Sequence, residues 1–161
     1  MTLRMARFAR YPALPHLPLR NFAMLKTCCR PREFAARLDS CVESTPQARC
    51  LLRAYLSGPP SGNCYRDVAE LLLGELFANA VQHSDAPDDR RIEIRISLTG
   101  DLLRLEVHDA SSGRPTLRPS NPDDECGRGL FLVNELSERW GCCPRVGGIG
   151  KFVWATIAPA A

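Results

Sequence analysis

No apolar run in this 161-residue chain approaches the roughly 20 residues that a membrane-spanning helix needs, so the sequence holds no candidate for one. There is also no C-x-x-C pair, although eight cysteines are present: Cys28, Cys29, Cys41, Cys50, Cys64, Cys126, Cys142 and Cys143. The three histidines, His16, His83 and His108, do not fall at zinc-finger spacings, which excludes the common structural zinc motifs. A disulfide framework needs an export route, and the N-terminus lacks the unbroken apolar stretch of a signal peptide. The cysteines therefore read as free thiols in a reducing cytoplasm.

Acidic residues are missing as well, but only from one end. None precedes Glu33, while Arg4, Arg7, Arg10, Arg20, Lys26, Arg30 and Arg32 supply seven positive charges. From Glu33 onward 14 basic residues face 18 acidic ones, a net of −4, so the overall +3 belongs to the N-terminal segment. That excludes a basic nucleic-acid-binding surface on the remainder. With Pro12, Pro15, Pro18 and Pro31 and no sustained period, residues 1–32 read as a basic, poorly ordered tail. An organelle transit peptide, or a true start at Met24, are alternatives that composition leaves open. Residues 33–161 are long enough for one domain with one hydrophobic core.

What is present from Phe34 onward has the texture of a folded protein. Phe34 to Leu38 reads as a short strand. Ser44-Thr45-Pro46 opens a helix, with a hydroxyl cap ahead of a proline in the first turn, and Ser57-Gly58-Pro59-Pro60 ends it after Leu56. A longer helix follows from about Asn63 to His83. Ile92, Ile94, Ile96 and Leu98, then Leu103, Leu105 and Val107, alternate with polar residues on either side of Thr99-Gly100-Asp101 and predict a hairpin with one buried face. Residues 110–127 read as a long loop of the kind that serves as a lid or binding segment. A helix from Arg128 to Glu138 and strands at 140–146 and 150–158 complete an α+β sandwich, with helices on one face of a sheet.

Three segments carry candidate chemistry. On the long helix, at about 100° per residue, Glu75 and Asn79 fall among Leu71, Val68, Leu72 and Leu76. A carboxylate and a carboxamide one turn apart in an apolar stripe need a polar partner, either a ligand, a metal or other protein groups. Asp109-Ala-Ser-Ser-Gly113-Arg-Pro115 follows a strand and can present a carboxylate at the sheet's edge; an ordinary Asx turn is the alternative. Gly127-Arg128-Gly129-Leu130 leads into a helix whose first N–H groups suit phosphate, or simply forms a loop-to-helix turn. Gly147-Gly-Ile-Gly-Lys151 imitates a P-loop, but Arg145 and Phe152 occupy positions that need Gly and Ser or Thr. His83 and His108 have no partner readable from sequence and take surface or structural roles.

In order and spacing, Glu75-x-x-x-Asn79-x-x-x-His83, Asp109 with Gly113 and Gly127-x-Gly129 together resemble the GHKL ATPase/kinase superfamily. More closely they resemble the anti-sigma factor serine/threonine kinases, over about Phe34 to Ile157. The resemblance implies a two-layer Bergerat-type fold with a mixed, mostly antiparallel sheet, and ATP and Mg²⁺ as cofactors. It gives Asn79 to the metal, Glu75 to the general base and Asp109 to the adenine amino group. It sets Gly113 beside the base, and Gly127, Arg128 and Gly129 beside the phosphates. The implied partners are a small antagonist protein and a sigma factor or similar regulator, with a homodimer possible and no direct contact with nucleic acid or membrane. Two departures stand out: Ser111 replaces the first glycine of the family's D-x-G-x-G box, and the lid at 119–126 is acidic. A non-catalytic partner-binding module of the same fold is the rival expectation. A detached histidine-kinase catalytic domain is disfavoured, because the only upstream histidine, His16, lies in the proline-containing tail.

Overall fold

The computed structural model describes residues 32–83, 91–111, 113, 115, 128–147 and 149–160. The N-terminal tail up to residue 31, the acidic lid at 119–126 and Gly127 lie outside the described residues.

Among the described residues, five strands form one sheet in the order β1-β2-β3-β5-β4: β1 Arg32–Asp39, β2 Arg91–Thr99, β3 Leu102–Asp109, β4 Arg139–Pro144 and β5 Lys151–Ile157. Every pairing is antiparallel, which narrows the expected mixed sheet. The reason lies in the connections: β1–β2 antiparallel pairing is set by the helices between them, and β5 returns as the second arm of a hairpin with β4. The helices among the described residues are α1 Ser44–Leu56, α2 Arg66–Gln82 and α3 Arg128–Leu136, with a 3₁₀ turn at Gly62–Tyr65 leading into α2.

Alternation sorts each strand into two faces. Phe34, Ala36 and Leu38 pair with Ile96, Ile94 and Ile92; Ile94, Ile96 and Leu98 pair with Val107, Leu105 and Leu103; these in turn meet Val153, Ala155 and Ile157. All of them join one core with Leu52, Leu56, Leu72, Leu73, Leu76 and Phe77 from the helices.

The opposite face carries ion pairs and ring contacts. Glu93 accepts from Arg37 and Arg95 at 3.0 and 2.6 Å, Arg104 donates to Glu106 at 2.7 Å, and the Arg104 guanidinium sits 4.3 Å over the Trp154 ring. His108 stacks on Phe152 with centroids 4.8 Å apart and contacts Glu106 at 2.9 Å, the structural role expected of it.

Two helix details differ from expectation. The hydroxyl cap at the start of α1 is not formed: Ser44 is already helical and buried, and the N–H groups of Ser44 and Thr45 donate instead to the carbonyls of Cys41 and Val42. A backbone turn thus supplies the acceptors that a side chain otherwise provides. On α2 the buried residues centre on Ala69, Leu76 and Ala80, which places Glu75 and Asn79 at the margin of the apolar stripe, half-buried. The helix rotates its small and branched residues to the sheet and leaves its polar pair where solvent or a ligand reaches it.

Two tests follow from this packing. Leu105 is fully buried in the central strand, so Leu105→Ala is expected to cost about 2–5 kcal/mol in urea unfolding, against less than about 0.5 kcal/mol for the exposed Leu102→Ala. The hydrogen bond from His108, helped by Arg104 and opposed by burial, lowers the Glu106 carboxyl from 4.5 to about 2. A depressed carboxylate stabilises above its unfolded value and loses that contribution as pH falls toward its folded one. Stability should therefore drop between about pH 4.5 and about pH 2, and Glu106→Gln should flatten the drop, as read by thermal unfolding across that window.

Candidate functional site

The period of two that builds the core also carries two charged residues onto it. In β3 the inward series is Leu103, Leu105, Val107 and Asp109; in β5 it is Lys151, Val153, Ala155 and Ile157. Asp109 and Lys151 are register partners at the end of the two strands, with side chains only 3% and 8% exposed. Charges so placed must pair, and Lys151 Nζ donates to Asp109 Oδ1 at 2.9 Å. The same oxygen accepts the Ser111 N–H at 2.8 Å and the Ser111 hydroxyl at 2.6 Å, and Lys151 Nζ also donates to Ser111 Oγ. The Ser111 N–H bond is the Asx turn that the sequence admits as an alternative. It does not exhaust the carboxylate, because Asp109 Oδ2 is buried with no hydrogen-bond partner among the described residues. An acceptor left so costs on the order of 1–3 kcal/mol.

Gly150 makes this approach possible. Its φ is +86°, and a Cβ there would lie 2.1 Å from the Asp109 carbonyl oxygen. Gly113 differs: it is exposed, and a Cβ on it would have no atom of the described residues within 4 Å.

The second part of the site belongs to the helices. The start of α3 lies against the Glu75 carboxylate, since a Cβ on Gly129 would come within 2.5 Å of Glu75 Oε2. Glu75 thus faces the first turn of α3, with Asn79 one turn further along α2. The chain leaves α2 at His83 and enters β2 at Arg91, and β2 begins where β3 ends, with Glu93 opposite His108. Gly127 and the side chain of Arg128 lie outside the described residues. A cavity of about 330 Å³ lined by Glu33, Arg95, Ser97 and Glu106 opens on the helix-free face and not beside Asp109.

Lys151 is the site residue that sequence reasoning missed. Its signal was the inward parity that it shares with Val153 and Ala155, which a lysine holds only with a counter-charge to meet it.

The constraint at Gly150 is testable by Gly150→Ala. Strain at positive φ together with the clash should cost about 2–3 kcal/mol or more in denaturant unfolding, whereas Gly100→Ala, at φ +59° with no atom within 4 Å of a Cβ, should cost about 1–2 kcal/mol. Equal losses at the two glycines would remove the close approach as the reason for Gly150.

The family model of the histidine kinase-like ATPase domain matches residues 39–157, a stretch that contains Glu75, Asn79, Asp109, Gly113, Gly129 and Lys151. Among solved structures, the RsbU and RsbW domains of Rv1364c from Mycobacterium tuberculosis align with a TM-score of 0.60 at 21% identity. That alignment covers 80% of this chain and 34% of the other, so this chain spans about a third of that one, and the likeness is one of fold. No curated protein matches the chain in sequence. A match to the family model over most of the chain, on the fold described above, bears out the resemblance read from the motifs: the chain belongs to the histidine kinase-like ATPase domain family.

Proposed function

We propose that this protein is an anti-sigma factor-type serine/threonine kinase, which uses Mg·ATP to phosphorylate a small antagonist protein and sequesters a sigma factor or similar regulator. ATP binding follows from the family. The observation that carries the finer reading is the placement of Glu75: half-buried on α2, one turn from Asn79, with its carboxylate against the first turn of α3. The fold neighbour adds support, since it joins an RsbW domain to an RsbU domain in one chain.

The residues fit a nucleotide at both ends. Asp109 Oδ2 is a buried acceptor in want of a donor, which suits an amino group on a base. Asn79 presents a neutral oxygen donor, and Mg²⁺ keeps several waters and needs few protein oxygens. Bound Mg·ATP supplies a transferable phosphoryl group and the cation that neutralises it. Glu75 accepts the proton of the incoming serine or threonine hydroxyl, a role that requires hydrogen-bond reach more than strong basicity. Gly129 keeps the space beside that carboxylate clear. A cytoplasmic place agrees with the free thiols of Cys41, Cys50 and Cys64, and among the described residues no helix is long and apolar enough to cross a membrane.

The rival is a non-catalytic module in which nucleotide props the fold while a surface holds the partner. Loss or transfer of the γ-phosphate from labelled ATP, measured on wild type and Glu75→Ala in the presence of an acceptor-containing lysate, separates the two. The kinase reading expects Glu75→Ala to lower turnover by about 10²–10⁴-fold while ATP affinity changes less than about threefold. Equal turnover, or none in either protein with ATP bound, would sink the kinase and leave the module.

A further inference from the structure

We infer that Lys151, together with Ser111, is a positioning device for base recognition: it pins the Asp109 carboxylate by Oδ1 and leaves Oδ2 as the single acceptor that reads an exocyclic amino group on a purine. The inference rests on Asp109 facing the base of a bound nucleotide, and extends that reading to which base the site takes and why.

The geometry is specific. Oδ1 receives three donors, from Lys151 Nζ, the Ser111 N–H and the Ser111 hydroxyl, while the buried Oδ2 receives none among the described residues. An ionised carboxylate accepts and does not donate, and with both oxygens open it takes a two-donor edge side by side. Guanine offers such an edge in its N1–H and 2-amino group; adenine offers one donor, the 6-amino group, next to an acceptor nitrogen. With Oδ1 saturated, the carboxylate fits the single donor, and a guanine in the same pose would set its O6 against an acceptor. The lysine cannot turn away to solvent, because its side chain is 8% exposed and Gly150 clamps the start of β5 against the backbone of Asp109 and Ala110. Serine at 111, where the family often has glycine, belongs to the same device: its hydroxyl bridges the ammonium and the carboxylate.

A lysine that merely neutralised a buried charge would support every nucleotide equally. The experiment titrates the full chain calorimetrically with Mg·ATP and with the Mg²⁺ complex of purine riboside triphosphate, which is ATP without its 6-amino group. The preference of wild type for ATP measures what the amino group is worth, and about 10- to 100-fold is expected. Lys151→Met should reduce that preference to within about threefold, chiefly by weakening ATP. Ser111→Gly removes one donor from Oδ1 and should reduce it by about threefold, and it decides the matter if Lys151→Met does not fold. Equal weakening of both nucleotides by Lys151→Met, or an undiminished preference in the folded variants, overturns the inference and leaves Lys151 structural. A wild type that binds both nucleotides equally instead overturns the reading of Asp109 itself, so the two failures are distinguishable.

Discussion

A lysine and an aspartate facing one another across the inward side of β3 and β5 set the terms for this fold. Removing two charges from water costs several kcal/mol each, and their attraction repays it only where geometry and extra hydrogen bonds are good. The chain meets that demand with one register, Asp109 opposite Lys151, and one glycine, Gly150, that lets the strands close to contact at their ends. Slipping either strand by one residue would turn the charges to the other face and break both the core and the pair. The order of the two central strands is thereby tied to the integrity of the pair, and one oxygen of Asp109 is left without a hydrogen-bond partner among the described residues.

The helices answer a second demand, that the polar pair Glu75 and Asn79 be held without being buried at a loss. If Glu75 and Asn79 sat at the centre of the apolar stripe they would need full internal satisfaction. The chain instead centres α2 on Ala69, Leu76 and Ala80, residues small or apolar enough to lie flat on the sheet, and brings α3 up beside the margin. At Gly129 that approach leaves little room, since a Cβ there would come within 2.5 Å of Glu75 Oε2. The two halves of the site thus have different supports, a strand register on one side and a helix rotation on the other.

Much of this was legible in the residues alone. Alternation in Ile92–Leu98 and Leu103–Val107 specified the hairpin and its buried face, because side-chain parity in a strand is a strict two-fold matter. Pro46 and the Ser57–Pro60 stretch bounded α1 for steric reasons that do not depend on neighbours. What depended on neighbours was harder. The cap of α1 went to backbone carbonyls because the preceding turn happened to supply them. The lattice of Arg37, Glu93, Arg95, Arg104, Glu106 and Trp154 on the uncovered face requires the pairing of four strands, which no single segment contains. Lys151 lay between these cases: its parity was visible, but a lysine directly after a Gly-Ile-Gly run invited comparison with a phosphate loop before comparison with its own strand.

Ser111 bears on whether the site is kept for use. As a departure from a glycine box it points toward a decayed nucleotide site, where the backbone can no longer approach the base. In the structure the residue is buried, its N–H closes the turn on Asp109, and its hydroxyl links the carboxylate to the lysine. The hydroxyl is thus bonded on both sides, while the neighbouring carboxylate oxygen has no partner among the described residues. A decaying site has no reason to hold a buried ammonium in place, since hydrophobic residues of similar size in place of such a pair are often neutral or stabilising. The polar cluster is costly as architecture and economical as recognition, and that asymmetry favours a site that still binds its nucleotide over a fold that has only inherited the shape of one.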